Sequence, residues 1–116
     1  MKILVCGDRN WHSFQKIHDA LSEYPARTIL VHGACRGADL MAASAGRVLG
    51  FDVRSYPANW NEYGTSAGPV RNMQMISEEA PFDLVLAFHS NIQDSKGTAD
   101  MVSRCRKAGW PVKIIV

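Results

Sequence analysis

The sequence predicts one α/β domain, a parallel five-stranded sheet with helices on both faces forming a three-layer α/β/α sandwich. Three observations carry this. Five short apolar runs alternate along the chain with segments of helical period, the repeat expected of strands joined by right-handed crossovers. Glycine or proline punctuates most ends of these segments. The segments that follow the apolar runs are long, polar and glycine-containing, whereas those that precede them ("PAR", "GF") are short and plain.

Taken in order, "KILVC" (2–6) ends at Gly7 and reads as a buried strand. Over 12–24, Phe14, Ile17, His18 and Leu21 keep i, i+3, i+4, i+7 spacing, which predicts an amphipathic helix stopped by Pro25. "TILVH" (28–32) is the second strand. A helix over 38–49 carries Met41, Ala45, Val48 and Leu49 on one side and ends at Gly50. "DVRSY" (52–56) alternates and is more polar, which suits an edge strand. The segment 57–68 reads as a long loop, with Pro69 opening a helix that runs to Glu79. "DLVLAF" (83–88) is the fourth strand. A polar loop (89–97) precedes a helix bearing Thr98, Met101, Val102 and Cys105 on one face and capped by Gly109, and "VKIIV" (112–116) is the fifth strand. Strand order 3-2-1-4-5 is favoured, and order 2-1-3-4-5 satisfies the same repeat. Either sets ligands at the carboxyl ends of the strands.

A chain of 116 residues, 47% hydrophobic, fits a single domain over 1–116 with a proper core. Thirteen Lys and Arg against eleven Asp and Glu leave a formal charge of +2, too mild to argue for a nucleic-acid partner, and there is no basic run. No apolar stretch approaches the roughly 18–20 residues of a membrane span, so no membrane partner is expected. Three cysteines, Cys6, Cys35 and Cys105, lack CxxC spacing and suit a reduced, cytoplasmic protein.

The long segments gather at one edge of the sheet. "GDRNW" brings Gly7, Asp8 and Arg9, and "GACRGAD" brings Gly33, Arg36, Gly37 and Asp39. Glycines at a strand-to-helix turn let backbone amides approach a ligand, and a helix N-terminus favours an anion. Arg36 is suited to a charge-assisted bond to phosphate. Lys96, Gly97 and Thr98 repeat the device before the last helix, so the two turns together predict a phosphorylated small molecule as ligand. Simpler roles remain open: Asp39 as a helix cap, Asp8 and Arg9 as a surface ion pair. Trp60 and Tyr63 lie in a polar loop, either to stack on a base or to plug the loop onto the sheet. Cys6, His32 and His89 fall near strand ends without ligand-type spacing, so no metal is expected, and no nucleophile elbow is present.

"HGACRGAD", "PANWNEYGTSAGPVRN" and "SKGTADM", in this order and spacing, resemble the YpsA-related branch of the SLOG superfamily. The resemblance implies a Rossmann-like fold. The superfamily includes the Lonely Guy (LOG) enzymes, which are nucleoside 5′-monophosphate phosphoribohydrolases, as well as DNA-binding proteins and domains proposed to sense nucleotide-derived signals. LOG enzymes carry a glycine-rich turn, then a helix arginine, then PGGxGTxxE. By this resemblance Arg71 stands where the catalytic arginine would be, Gly97 and Thr98 would bind the 5′-phosphate, and Asp100 stands near the family's acid. Arg71 and Asp100 would then flank the ribose and its glycosidic bond, with no metal or other cofactor. A homo-oligomer is implied because LOG enzymes are commonly dimers. The chain departs from the LOG pattern in lacking PGG, which "HSNIQDS" replaces, and in having Asp for Glu. These departures leave three functions: hydrolysis of a nucleotide, non-catalytic sensing or sequestration of one, and DNA binding, the last disfavoured by the mild charge.

Overall fold

Apolar runs with no polar face become a sheet covered on both sides. In the computed structural model, which describes residues 1–116, the strands are β1 (Lys2–Gly7), β2 (Ile29–His32), β3 (Asp52–Ser55), β4 (Leu84–Phe88) and β5 (Val112–Ile115). All pair in parallel, in the order β3-β2-β1-β4-β5, with Val5 opposite His32 and Gly7 opposite Phe88. Side chains alternate between two cores. Ile3, Val5, Leu30 and Leu86 pack against α1 (Phe14–Leu21) and α2 (Ala38–Val48). Leu4, Cys6, Val31 and Val85 pack on the other face against α4 (Ala67–Glu79) and α5 (Lys96–Lys107). The three-layer Rossmann-like architecture and the favoured strand order are therefore the observed ones, with β3 at an edge. No helix is long and apolar enough to cross a membrane.

The main departures from the sequence reading lie at element ends and in the long loop. The first helix is shorter than 12–24. It starts at Phe14, where the Ser13 side chain caps it by accepting from the Lys16 N–H at 3.3 Å, and ends at Leu21. The segment 57–68 is not plain loop. It holds a one-turn helix, α3 (Trp60–Tyr63), capped by the Asn59 side chain, and a 3₁₀ turn at Gly64–Ser66. α4 then begins at Ala67, not at Pro69. A proline is tolerated at this third helical position because the first four N–H groups have no partner inside a helix. α5 likewise begins at Lys96, two residues earlier than its apolar face suggests, because the Ser95 hydroxyl accepts from the Thr98 N–H at 3.3 Å.

The far end of α4 is fixed by Glu79. Its carboxylate accepts from Tyr56 Oη at 2.6 Å and Arg54 Nη1 at 2.8 Å, with Lys2 Nζ 3.2 Å away. Burial pushes this carboxyl up, but the three donors outweigh it and hold Glu79 below the usual carboxylate range. The edge strand and α4 are thereby tied together at the end of the molecule opposite the long loops.

The chain runs outward from β1 through β2 to β3, then crosses back by α4 to β4 on the other side of β1. The connections leaving β1 and β4 therefore diverge, and a crevice opens between them at the carboxyl edge.

Candidate functional site: a cationic cavity at the carboxyl edge of the sheet

The crevice is a cavity of about 380 Å³. The end of β1 forms its floor, and the turn after β2, α3 and the first turns of α4 and α5 form its walls. A second cavity of about 380 Å³ shares Arg9, Trp60 and Arg71 with the first and adds Arg36.

The turn at 33–37 is built by side chains that take up its backbone groups. Asp39 Oδ2 accepts from the Gly33 N–H at 3.0 Å and the Cys35 N–H at 3.2 Å. His32 Nδ1 accepts from the Ala34 N–H at 3.0 Å, and Ala34 takes a left-handed φ of 59°. Gly37 has φ 78°, and a Cβ there would collide with the carbonyl oxygens of Asp8 and Arg9. A Cβ on Gly33 would stand 2.5 Å from an Arg71 guanidinium nitrogen. The glycines therefore admit other protein groups, and the first amides of this turn are engaged by Asp39 and His32. Burial lowers the His32 pKa to about 4, with Arg47 and Arg71 adding to the effect, so the ring is neutral.

The turn before α5 is different. Ser95 caps the Thr98 N–H, and the Ala99 N–H reaches the Ser95 carbonyl at 2.9 Å, but the amides of Lys96 and Gly97 have no acceptor in the protein. Nothing lies within 4 Å of where a Gly97 Cβ would be, so this bare backbone opens directly onto the cavity. Thr98 is buried, and its hydroxyl donates to the Gly7 carbonyl at 3.2 Å, which ties α5 to β1. It buttresses the turn.

Arg71 lies inside the wall rather than on the surface. It is 6% exposed, donating from Nε to Asn72 Oδ1 at 3.0 Å and from Nη1 to the Gly33 carbonyl, with Cys35 Sγ 3.7 Å from Nη2. No carboxylate lies within ion-pair distance of it, nor of Arg9, Arg36 or Lys96. A buried cation is costly unless compensated, and here every hydrogen bond goes to a neutral acceptor, with the Asp39 carboxylate acting on Arg71 only from beyond ion-pair distance. Asp100 also lines the cavity, its Oδ2 accepting from Asn72 Nδ2 at 3.1 Å and Arg104 Nε at 2.9 Å. Asn72, 3% exposed, thereby links the arginine to the acid. Sequence reading passed over it. Its one signal is a second polar residue beside Arg71 in a helix that must bury that side.

The aromatic pair divides. Trp60 is half-exposed, lines both cavities and carries the Arg9 guanidinium 5.6 Å from its ring centroid. Tyr63, on the same short helix, is exposed and lines neither. Asp8 is also outside the lining. Its carboxylate accepts from the Asn10 N–H at 2.8 Å and makes no ion pair with Arg9. The ring Nδ1 of His89 accepts from the Asn91 N–H, while Cys6 lies at the cavity floor with its thiol pushed up by burial and by Asp39.

Comparison with known proteins gives the family of the chain. A family model described as YAcAr, the YspA, cpYpsA-related SLOG family, matches residues 1–63, which include β1, β2, α2 and the turn at 33–37. The Gene 61 protein of Mycobacterium phage D29 is 35% identical over 120 residues, covering 96% of this chain and 93% of its own length. No solved structure matches. With the family model covering more than half of the chain, and a five-stranded parallel sheet in order 3-2-1-4-5 beneath it, the chain belongs to the YspA, cpYpsA-related SLOG family.

Proposed function

We propose that the cavity binds a nucleoside 5′-monophosphate, or a derivative of one, and hydrolyses its N-glycosidic bond. One observation carries the binding half: Arg71 is a buried guanidinium with no carboxylate partner, lining the same cavity as the unpaired amides of Lys96 and Gly97. A phosphate at the α5 N-terminus meets two free N–H groups, the helix dipole and the Lys96 ammonium. Trp60 then flanks the base.

In the hydrolysis, the electron pair of the C1′–N bond leaves with the base, which takes up a proton. Positive charge builds on the ribose as the bond breaks. The Asp100 carboxylate stabilises that charge and orients a water, whose oxygen bonds to C1′ and loses a proton. Asn72 and Arg104 hold the carboxylate through Oδ2 and leave Oδ1 for this work. The same grip supports a second reading, a non-catalytic nucleotide sensor, because one oxygen of the acid is already balanced by Arg104.

Release of free base from a panel of nucleoside 5′-monophosphates, followed by chromatography, separates the two. Hydrolysis is expected from the wild-type protein. Asp100→Asn is expected to lower it by roughly 10²–10³ with affinity kept within about tenfold. Tight binding without base release leaves the sensor. A further expected result is a change of tryptophan fluorescence on adding nucleotide that disappears in Trp60→Leu. If the change survives, Trp60 does not flank the base.

A further inference from the structure

Asp39, the second residue of α2, is 5% exposed, yet the protein uses only one of its carboxylate oxygens. Oδ2 takes both hydrogen bonds from the 33–35 turn, and Oδ1 takes none. Nor is Oδ1 sealed away, since the one buried side-chain polar atom without a partner is His32 Nε2, and Asp39 lines the cavity. The turn itself does not require a charge. An asparagine oxygen would accept the same two N–H groups without the cost of burying a carboxylate. The reason for an acid lies on the cavity side.

A carboxylate oxygen only accepts, so what meets Oδ1 must donate. A phosphate oxygen is itself an acceptor and is repelled. No three His, Cys, Asp or Glu side chains gather to hold a metal ion there. The remaining chemistry is a neutral donor on the ligand. Given a phosphate at the α5 N-terminus, on the far side of the β1 end, the group carried beside it is a sugar.

We infer that Asp39 Oδ1 accepts a hydrogen bond from a ring hydroxyl of the phosphorylated sugar, so that the cavity selects ribose over deoxyribose. The inference rests on the reading of this cavity as a nucleotide-phosphate site and adds a discrimination which that reading alone does not require. Two ends of opposite demand then define the ligand: an anion at Lys96, Gly97 and Arg71, and a hydroxyl donor at Asp39.

The test is calorimetric binding of ribose 5-phosphate, 2-deoxyribose 5-phosphate and 3-deoxyribose 5-phosphate to the full chain. Wild-type protein is expected to bind ribose 5-phosphate at least about tenfold more tightly than one of the two deoxy sugars. In Asp39→Asn the amide oxygen keeps the turn and a neutral NH₂ faces the cavity, so the charged acceptor is lost and the hydroxyl is left at most a weaker bond that it accepts from the amide. The preference should then fall to within twofold while the deoxy sugar still binds. Asp39→Ser, which removes both carboxylate oxygens, serves the same comparison should the asparagine variant fail to fold. Equal wild-type affinities for all three sugars overturn the inference and leave the phosphate site standing, as does a preference that survives in the variant. If the folded wild-type protein binds none of the three, the phosphate site itself falls, and the inference with it.

Discussion

Arg71→Met is expected to lower affinity for a nucleoside 5′-monophosphate about a hundredfold or more, ~2.7 kcal/mol. Methionine keeps much of the arginine's volume and none of its donors. A charge-assisted hydrogen bond contributes about 1.5–3 kcal/mol, and Arg71 brings both a bond and a charge held in no direct ion pair to the anion. Stability should change less than affinity. The variant leaves the Gly33 carbonyl and Asn72 Oδ1 without their donor, but it also removes a buried cation that no carboxylate contacts directly. Arg71→Lys should not restore binding. A lysine ammonium does not reproduce the planar fork that reaches Gly33 and Asn72 together while still facing the cavity. Calorimetry with adenosine 5′-monophosphate checks both variants, with circular dichroism as the control for folding. An affinity within threefold of wild type in a folded Arg71→Met protein removes Arg71 from the site.

Most of this architecture was legible because it rests on periodicity. Ile3 and Val5 face one core and Leu4 and Cys6 the other, and an apolar run with no polar face admits no half-exposed solution. The edge position of β3 followed from Arg54 and Ser55 interrupting its apolar pattern. The one-turn helix at Trp60–Tyr63 was not legible. Four residues carry no period, and their capping depends on Asn59, which equally suits a turn. The site was partly legible. Glycines and cations near strand ends marked the cavity, and Arg36 and Lys96 do line one hollow or the other, whereas Arg71, inside α4, was marked only by the family resemblance. What sequence does not carry is which backbone amides remain free. The turns at 33–37 and 96–98 look alike as strings, but Asp39 and His32 occupy the amides of Gly33, Ala34 and Cys35 in the first, whereas the second opens with the free amides of Lys96 and Gly97 on the cavity lining. Tyr63 shows the same limit: three residues along the same short helix from Trp60, it lies outside the cavity lining.

Asp39 should make the protein less stable as pH rises through the weakly acidic range. Burial is the largest influence on its carboxyl and raises the pKa from 3.8 to about 6. The amides of Cys35 and Gly33, Arg71 from α4 and Arg9 from the segment after β1 offset this only in part. The Cys6 thiol on β1 is the other titratable group beside it and stays protonated throughout this range. Because the folded protein holds the Asp39 proton more tightly than the unfolded chain does, stability is greatest below about pH 4 as far as this group is concerned. It declines between pH 4 and 6, and above pH 6 the full difference, ~3 kcal/mol, has been lost. Asp39→Asn abolishes this titration while keeping an oxygen for both amides. The variant should therefore match wild type near pH 4 and exceed it by about 1–3 kcal/mol at pH 7. Urea unfolding of both proteins at pH 4, 5, 6 and 7 measures the difference, in which the titrations of Glu79 and the other carboxylates cancel. A variant less stable than wild type at pH 7 would mean that the ionised carboxylate holds the 33–35 turn better than an amide does, and that burial does not dominate there. A more stable variant that has lost its preference for ribose would show that the acid at position 39 is kept for the ligand, against the interest of the fold.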